Sequence, residues 1–225
     1  MIGKAWSALR NIAPKLNTST PRGKTKIRIS APIAYEPEAD VNELFWRMVG
    51  DNPPKRVLEV GTLQAVRGRS THSRNRFLHL ADSDYIRADM VDGPDVDVVC
   101  DLHQLPAEWS NRFDCFIANA VFEHLERPWV AAREVARSLA PGGLFLVVTH
   151  QCFPLHGYPQ DFFRFSREAL RLIFEDAGLV VEAADYQHRC TIVPPESVVP
   201  LAGLDAWNAT FPSYILVGAT GRKSG

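Results

Sequence analysis

The sequence predicts a layered α/β domain: a mostly parallel sheet with helices on its faces and a late strand returning antiparallel. Three observations carry that expectation. Short apolar runs with carboxylates at or near their ends occur in Arg56-Val57-Leu58-Glu59-Val60-Gly61, Tyr85-Ile86-Arg87-Ala88-Asp89 and Val98-Val99-Cys100-Asp101. Farther along, strand-like runs alternate with stretches of helical spacing. The chain's 225 residues, 46% of them apolar, suffice to fill one sizeable core. In an open α/β sheet such strand ends share the edge where nucleotide-like ligands bind, which makes Glu59, Asp89 and Asp101 candidate cofactor-side residues.

Residues 1–35 read as a basic leader, because Lys4, Arg10, Lys15, Arg22, Lys24, Lys26 and Arg28 all precede the first acid, Glu36. Ile2, Ala5, Trp6, Leu9, Ile12 and Ala13 form a helical stripe there. That stripe fits a frayed or surface-lying segment, with peripheral membrane contact as the lesser alternative. The domain proper is expected over 36–225. It opens with a helix over Pro37 to Val49, with Val41, Leu44, Phe45 and Met48 at helical spacing and Asn52-Pro53-Pro54 as its stop. Val57 to Val60 is the first strand, and Gly61 to Arg76 is a loop rich in Gly, Arg, Ser and Thr in which a first crossover helix is poorly signalled. Tyr85 to Ala88, Val96 to Val99 and Phe113 to Ala118 follow as strands two to four. Pro128 suits a first helical position, with Ala132, Val135, Ala136 and Leu139 as the apolar face and Pro141-Gly142-Gly143 as terminator. Leu144 to Val148 is apolar on both faces, as a buried parallel strand must be. Ser166 caps a helix with Glu168 in its first turn, and Gly178 ends it. Leu179 to Ala184 and Ser213 to Gly218 are strands six and seven, separated by a Pro-rich insertion over 185–212.

Charge and cysteine usage exclude several classes. Twenty-five basic against 26 acidic side chains give a net charge of -1, so no global field draws the protein to nucleic acid or an anionic membrane. Stretches of 18 apolar residues are absent, as is a signal-peptide pattern, and no membrane span is expected. The four cysteines are scattered, with no CxxC and no cluster at zinc-finger spacing. A reduced, cytoplasmic chain with no metal site is the expectation; the oligomeric state is not specified.

On the cofactor side, Asp89 beyond the second strand suits a ribose diol, whose two hydroxyls match the two acceptors of a carboxylate. Asp101 suits an adenine amino group, with the Leu102 amide beside it as a ring donor. Glu59 is placed either to orient the loop after the first strand or to meet a cationic end of the ligand. Without a Lys or Arg in a compact glycine fingerprint, a diphosphate-centred site is disfavoured and a cationic sulfonium cofactor suits the balance. Local alternatives are a strand-to-turn junction for Glu59 and Gly61, a solvated turn for Asp89 and a cap through His103 for Asp101.

From about Val41 to Val217 the sequence resembles the class I S-adenosylmethionine-dependent methyltransferases, especially the broad small-molecule group called type 11. Val57-Leu58-Glu59-Val60-Gly61 is similar to the first motif of that family, Asp89 to its ribose-binding acid, and Asp101-Leu102-His103-Gln104-Leu105-Pro106 to its adenine-side segment. Phe113 to Ile117 followed by Asn119, Glu123-His124-Leu125 and Pro128 is similar to the fourth-strand motif, and Leu139 to Leu144 to the turn after the following helix. The resemblance implies a Rossmann-like three-layer sandwich, with a seven-stranded mostly parallel sheet and an antiparallel last strand. It also implies S-adenosylmethionine as cofactor, with Glu59, Gly61, Asp89, Asp101, Leu102 and Asn119 as cofactor-binding residues. One departure stands out. The family commonly continues Glu-x-Gly-x-Gly-x-Gly, whereas here Gly61 leads into Thr62-Leu63-Gln64-Ala65 and the next glycine is Gly68. The loop must then widen, or hold the methionine portion through Gly61 and side chains.

Acceptor chemistry is expected in the loop 150–165, which combines His150, His156, Asp161 and Arg164 with Phe153, Tyr158, Phe162, Phe163 and Phe165. An unprotonated imidazole can take a proton from a hydroxyl, which makes His124, His156 and Asp161 the catalytic candidates. The alternatives are an Asp161–Arg164 pair holding a structural loop and a helix-start role for His124. These readings converge on methyl transfer to a small hydroxylated or saccharide-like acceptor, leaning to oxygen. Two other readings stay open: a degenerate methyltransferase fold acting as a binding or scaffold protein, and a nicotinamide-dependent oxidoreductase. The latter is disfavoured by the missing glycine loop and by the absence of a Tyr-x-x-x-Lys pair.

Overall fold

A computed structural model describes residues 36–64, 66–157 and 159–225. The basic leader with its apolar stripe, and Tyr158, lie outside the described residues. Seven strands form one sheet: β1 (Val57–Val60), β2 (Tyr85–Asp89), β3 (Val98–Val99), β4 (Phe113–Asn119), β5 (Leu139–His150), β6 (Leu179–Cys190) and β7 (Ser213–Lys223). Their spatial order is β3-β2-β1-β4-β5-β7-β6. The first five pair in parallel, and β7 runs antiparallel to both β5 and β6. The expected parallel sheet with an antiparallel final strand is therefore present. Its order reverses between β1 and β4, which sets the switch point where open α/β sheets bind ligands.

Strand periodicity sorts the core into two layers. Leu58, Val60, Phe116, Ala118, Phe145 and Val147 point to one face, where helices α2 (Pro128–Ser138) and α3 (Arg167–Asp176) bring Ala132, Val135, Leu170 and Phe174. Val57, Cys115, Ile117, Leu144, Leu146 and Val148 point to the other, against Val41, Phe45 and Met48 of α1 (Val41–Asp51). Helix starts follow their caps. Asp40 accepts from the Glu43 amide at 2.9 Å, so α1 begins at Val41 and not at Pro37 as expected. Pro128 opens α2, and Ser166 accepts from the Ala169 amide at 3.1 Å to open α3.

Other boundaries also differ from the sequence reading, and β3 is confined to Val98–Val99, without the expected Val96 and Asp97. β6 continues beyond Ala184 to Cys190, taking 185–190 out of the insertion, because Asp185 to Cys190 find partners along β7 from Gly218 to Ser213. The polar side chains there hid the strand, which lies at a sheet edge where one flank needs no apolar cover. What remains of the insertion holds one short helix, α4 (Leu204–Thr210). β5 begins at Leu139, which pairs with Phe113 before a register shift. Helix α2 therefore ends at Ser138, ahead of Pro141.

Among the described residues the connections from β1 to β4 carry no α-helix, only short 3-10 turns at Arg74–Arg76, Asp82–Asp84 and Ala107–Trp109. Polar anchors take the place of a helix. Asp95 accepts from Gln64 Nε2 at 2.7 Å, Ser70 Oγ at 2.5 Å and Arg87 at 3.1 Å, and these bonds together with Arg87 hold its carboxyl below the ordinary range. No helix among the described residues is long and apolar enough to cross a membrane.

Candidate active site

The carboxyl ends of β1, β2 and β3 form one half of the site. Gly61 leaves β1 at φ +75°, its amide bonded to the Ala88 carbonyl at 2.9 Å, and a Cβ there would stand 2.2 Å from Val121 Cγ2. Only glycine meets both demands, so the turn that swings the chain off β1 depends on it. Thr62, 1% exposed, donates its hydroxyl to the Asp95 carbonyl at 2.8 Å and fixes the next step of the loop.

Asp89 closes β2 with one oxygen accepting from the Leu63 amide at 3.1 Å and the other from the Val91 amide at 3.2 Å. Each oxygen so engaged keeps a lone pair for a further donor. Asp101 accepts from both the His103 amide at 2.8 Å and His103 Nδ1 at 2.7 Å, all on Oδ1. The Arg127 amide donates to His103 Nε2 at 3.3 Å, which assigns the ring proton to Nδ1. The turn through His103 is thus formed, and the Asp101 side chain is still 63% exposed. The hydrogen bonds at His103 lower the Asp101 pKa despite the opposing effect of burial, which is the largest single contribution. Leu102 is buried, and Asn119 is exposed at the end of β4.

Glu59 stands apart from this group. It lies on the α1 face of the sheet, 2% exposed, and accepts from the Ser73 amide at 2.8 Å, the Ser73 hydroxyl at 3.2 Å and the Tyr85 phenol. Burial raises its pKa against those hydrogen bonds. Of the two roles considered from sequence, the geometry matches loop orientation, since all of these partners belong to β2 or to the segment leading to it.

The other half lies beyond β4 and β5 and is organised around Glu123, which is fully buried. Three of the chain's seven histidines approach its Oε1: His150 Nδ1 at 2.6 Å, His124 Nε2 at 3.8 Å and His156 Nε2 at 4.0 Å. Thr149 donates to Oε2 at 2.6 Å. The Glu123 carbonyl also accepts from the Phe162 and Phe163 amides at 2.8 and 3.1 Å, so one residue anchors the loop 150–165 through both backbone and side chain. Burial pushes the Glu123 pKa up, but His150 and the Thr149 hydroxyl outweigh it and the net direction is down.

Of the catalytic candidates, His124 and His156 do meet, edge to face, with ring centroids 4.8 Å apart. His124 Nδ1 is 2.6 Å from the Gln160 carbonyl, and His156 Nδ1 is 3.2 Å from the Pro154 carbonyl and 3.5 Å from Asp161 Oδ2. Acceptor oxygens beside both Nδ1 atoms place the ring protons there and turn Nε2 toward Glu123. Asp161 is paired with Arg164 at 2.5 and 2.7 Å and accepts from the His156 amide at 2.9 Å, contacts that hold its carboxyl well below the ordinary range. It positions the loop and the His156 ring.

The sequence places Glu123 in the fourth-strand motif and His150 in the acceptor loop, but points to neither as a catalytic or cofactor-binding residue. The signal that could have found them is register: Asn119 of β4 pairs with Val148 of β5, so residues just past each strand end must converge.

This topology, with the strand ends gathered at one switch point, can be set beside known proteins. A methyltransferase domain model matches residues 73–147. The domain has the class I S-adenosylmethionine-dependent methyltransferase fold. The match begins near the end of the loop that follows Gly61, beyond the atypical Thr62-Leu63-Gln64-Ala65 segment. No curated protein matches by sequence. Among solved structures, the chain is similar to the 1,6-didemethyltoxoflavin-N1-methyltransferase of Burkholderia thailandensis, at 17% identity over 82% of this chain and 77% of that one, TM-score 0.53. It is similar to a SAM-dependent methyltransferase of Archaeoglobus fulgidus at 15% identity over 82% and 95%, TM-score 0.52. It is also similar to the [4+2]-cyclase SpnF at 16% identity over 82% of both chains, TM-score 0.50. At these identities the likeness establishes the methyltransferase fold, and the reaction has to be argued from the site.

Proposed function

We propose that the protein is a methyltransferase that uses S-adenosylmethionine to methylate an oxygen of a small hydroxylated or saccharide-like acceptor. The observation that supports this most is the division of the carboxyl strand edge at the β1/β4 switch point. Acceptor carboxylates stand on one side, at Asp89 and Asp101, and imidazoles on the other, at His124 and His156.

The donor set fits the cofactor. Asp89 retains lone pairs for a ribose diol, and the exposed Asp101 for an adenine amino group, with the buried Leu102 next to it in sequence and the exposed Asn119 at the end of β4. Gly61 keeps the first turn tight, and Glu59 holds the Ser73 segment behind it. When bound, S-adenosylmethionine supplies a methyl group on a positively charged sulfur. The side chains of this protein then have two tasks. They orient an acceptor hydroxyl in line with that methyl, and they accept its proton as the new carbon–oxygen bond forms. His124 is the residue we assign to the proton, through Nε2, with the Gln160 carbonyl fixing the ring. His156, oriented by Asp161, forms the adjoining wall. Alignment itself carries much of the barrier reduction in such a displacement.

Calorimetry of the purified full chain against S-adenosylmethionine, S-adenosylhomocysteine and NAD tests the reading. Binding of both adenosyl compounds and not NAD is expected. Asp89→Ala should then weaken S-adenosylhomocysteine at least about tenfold, or about 1.4 kcal/mol. NAD binding alone would favour an oxidoreductase, and no binding of any of the three a scaffold role.

A further inference from the structure

We propose that Glu123, His150 and His156 form a binding site for one divalent first-row transition-metal ion. Their ligand atoms all lie within 4.8 Å of one another. Two ligands each about 2.1 Å from one zinc ion stand about 3.4 Å apart at the tetrahedral angle, so the observed separations of 2.6 Å for His150 and 4.0 Å for His156 from Glu123 Oε1 bracket the required spacing.

Two features set this cluster apart from a hydrogen-bonded network. Glu123 Oε1 and His150 Nδ1 are buried and close together, yet neither makes a hydrogen bond of acceptable geometry. Buried polar atoms left in that state are costly, and an ion seated beside both, accepting a lone pair from each, would satisfy them. The second feature is the shell behind His156. Its Nδ1 faces Asp161 Oδ2 at 3.5 Å and the Pro154 carbonyl at 3.2 Å, while Nε2 faces Glu123. A ring proton directed to a carboxylate or carbonyl, with the opposite nitrogen toward the centre, is the arrangement that orients metal-bound histidines. Asp161 is fixed in turn by Arg164.

Two imidazoles and one carboxylate suit zinc, iron(II), cobalt(II) or nickel(II) better than magnesium or calcium, which prefer all-oxygen sites. Three protein ligands leave a coordination position for water or for an acceptor oxygen. The acceptor part of this statement rests on the methyltransferase reading; the metal site does not.

The test uses the full chain stripped with a chelator and titrated with Zn2+ by calorimetry, without cofactor or acceptor, and with Co2+ followed by its visible ligand-field absorption. One ion per chain is expected. His156→Ala, whose ring is at the open side of the cluster, should weaken Zn2+ binding at least about a hundredfold and change the Co2+ spectrum, and Asp161→Asn should weaken it about tenfold to a hundredfold. His188→Ala, on β6, should bind as the parent does. Glu123→Gln should abolish binding; if it fails to fold, His156→Ala decides. No binding by the parent, or equal binding by the parent and a folded His156→Ala, would overturn the site. Zinc binding with no affinity for adenosyl compounds would reject only the methyltransferase reading, and the converse only the metal.

Discussion

Tyr85 at the start of β2 donates its phenol to the Glu59 carboxylate of β1, joining two adjacent parallel strands through a buried polar contact on the α1 face. Glu59 holds Ser73 with the same carboxylate, so the pair anchors a β1–β2 connection in which no α-helix occurs among the described residues. Tyr85→Phe keeps the ring against Phe77 but leaves Glu59 short of a donor. Urea denaturation should show a loss of about 1–3 kcal/mol. A change within error would mean that water replaces the phenol at no cost.

Asp185 ties the segment before α1 to β6. It accepts from the Glu38 and Ala39 amides at 2.6 and 3.0 Å, from its neighbour Tyr186 at 2.8 Å and from Arg167 at 3.1 Å. Burial, the largest influence, raises its pKa, but these donors together overcome it and the net direction is down. A carboxylate with a depressed folded-state pKa stabilises above its unfolded value and loses that contribution as pH falls through the folded one. Asp185→Asn should therefore cost about 1.5–3 kcal/mol near neutral pH. The gap to the parent should close in thermal unfolding run progressively below the ordinary aspartate range, and a constant gap would refute the linkage.

Gly61 and Val121 offer a separable test of the first turn. Gly61→Ala meets an unfavourable φ and a Cβ overlapping Val121 Cγ2, which together should cost about 2–4 kcal/mol. Adding Val121→Ala removes the overlap and leaves the backbone strain. The double variant should thus be less destabilised than the sum of the singles by about 1 kcal/mol or more in a mutant cycle. Strict additivity would show that the loop moves instead.

Sheet and helices were legible because burial imposes period: the alternation in Leu144 to Val148 and the spacing of Val41, Phe45 and Met48 record two opposed core faces. The β6 extension was not, since an edge strand can be polar. Asp89 and Asp101 were legible as strand-end acids. Glu59 was legible only as an acid near a strand end, because the face it occupies depends on register with Tyr85. The histidine cluster was hidden for a similar reason: Glu123 and His150 are 27 residues apart in sequence and meet through β4–β5 pairing. No spacing rule encodes that meeting. Asp161 and Arg164, three apart, were legible as a pair, but its purpose, holding His156, was not.

On the proposed function, His124 and His156 belong to an acceptor wall separate from the cofactor wall. Both stand on the Glu123 side of the switch point, while Asp89 and Asp101 follow strands on the other. Replacing either imidazole should therefore leave S-adenosylhomocysteine affinity within about threefold of the parent while turnover falls, by about a hundredfold for His124→Ala if it takes the acceptor proton. The measurements are cofactor calorimetry and the rate of methyl transfer, with an acceptor drawn from hydroxylated small molecules and sugars. Equal large losses of cofactor affinity in both variants would move the loop 150–165 to the cofactor wall. Normal turnover in both would reduce the histidines to anchors of Glu123 and leave the displacement to alignment alone.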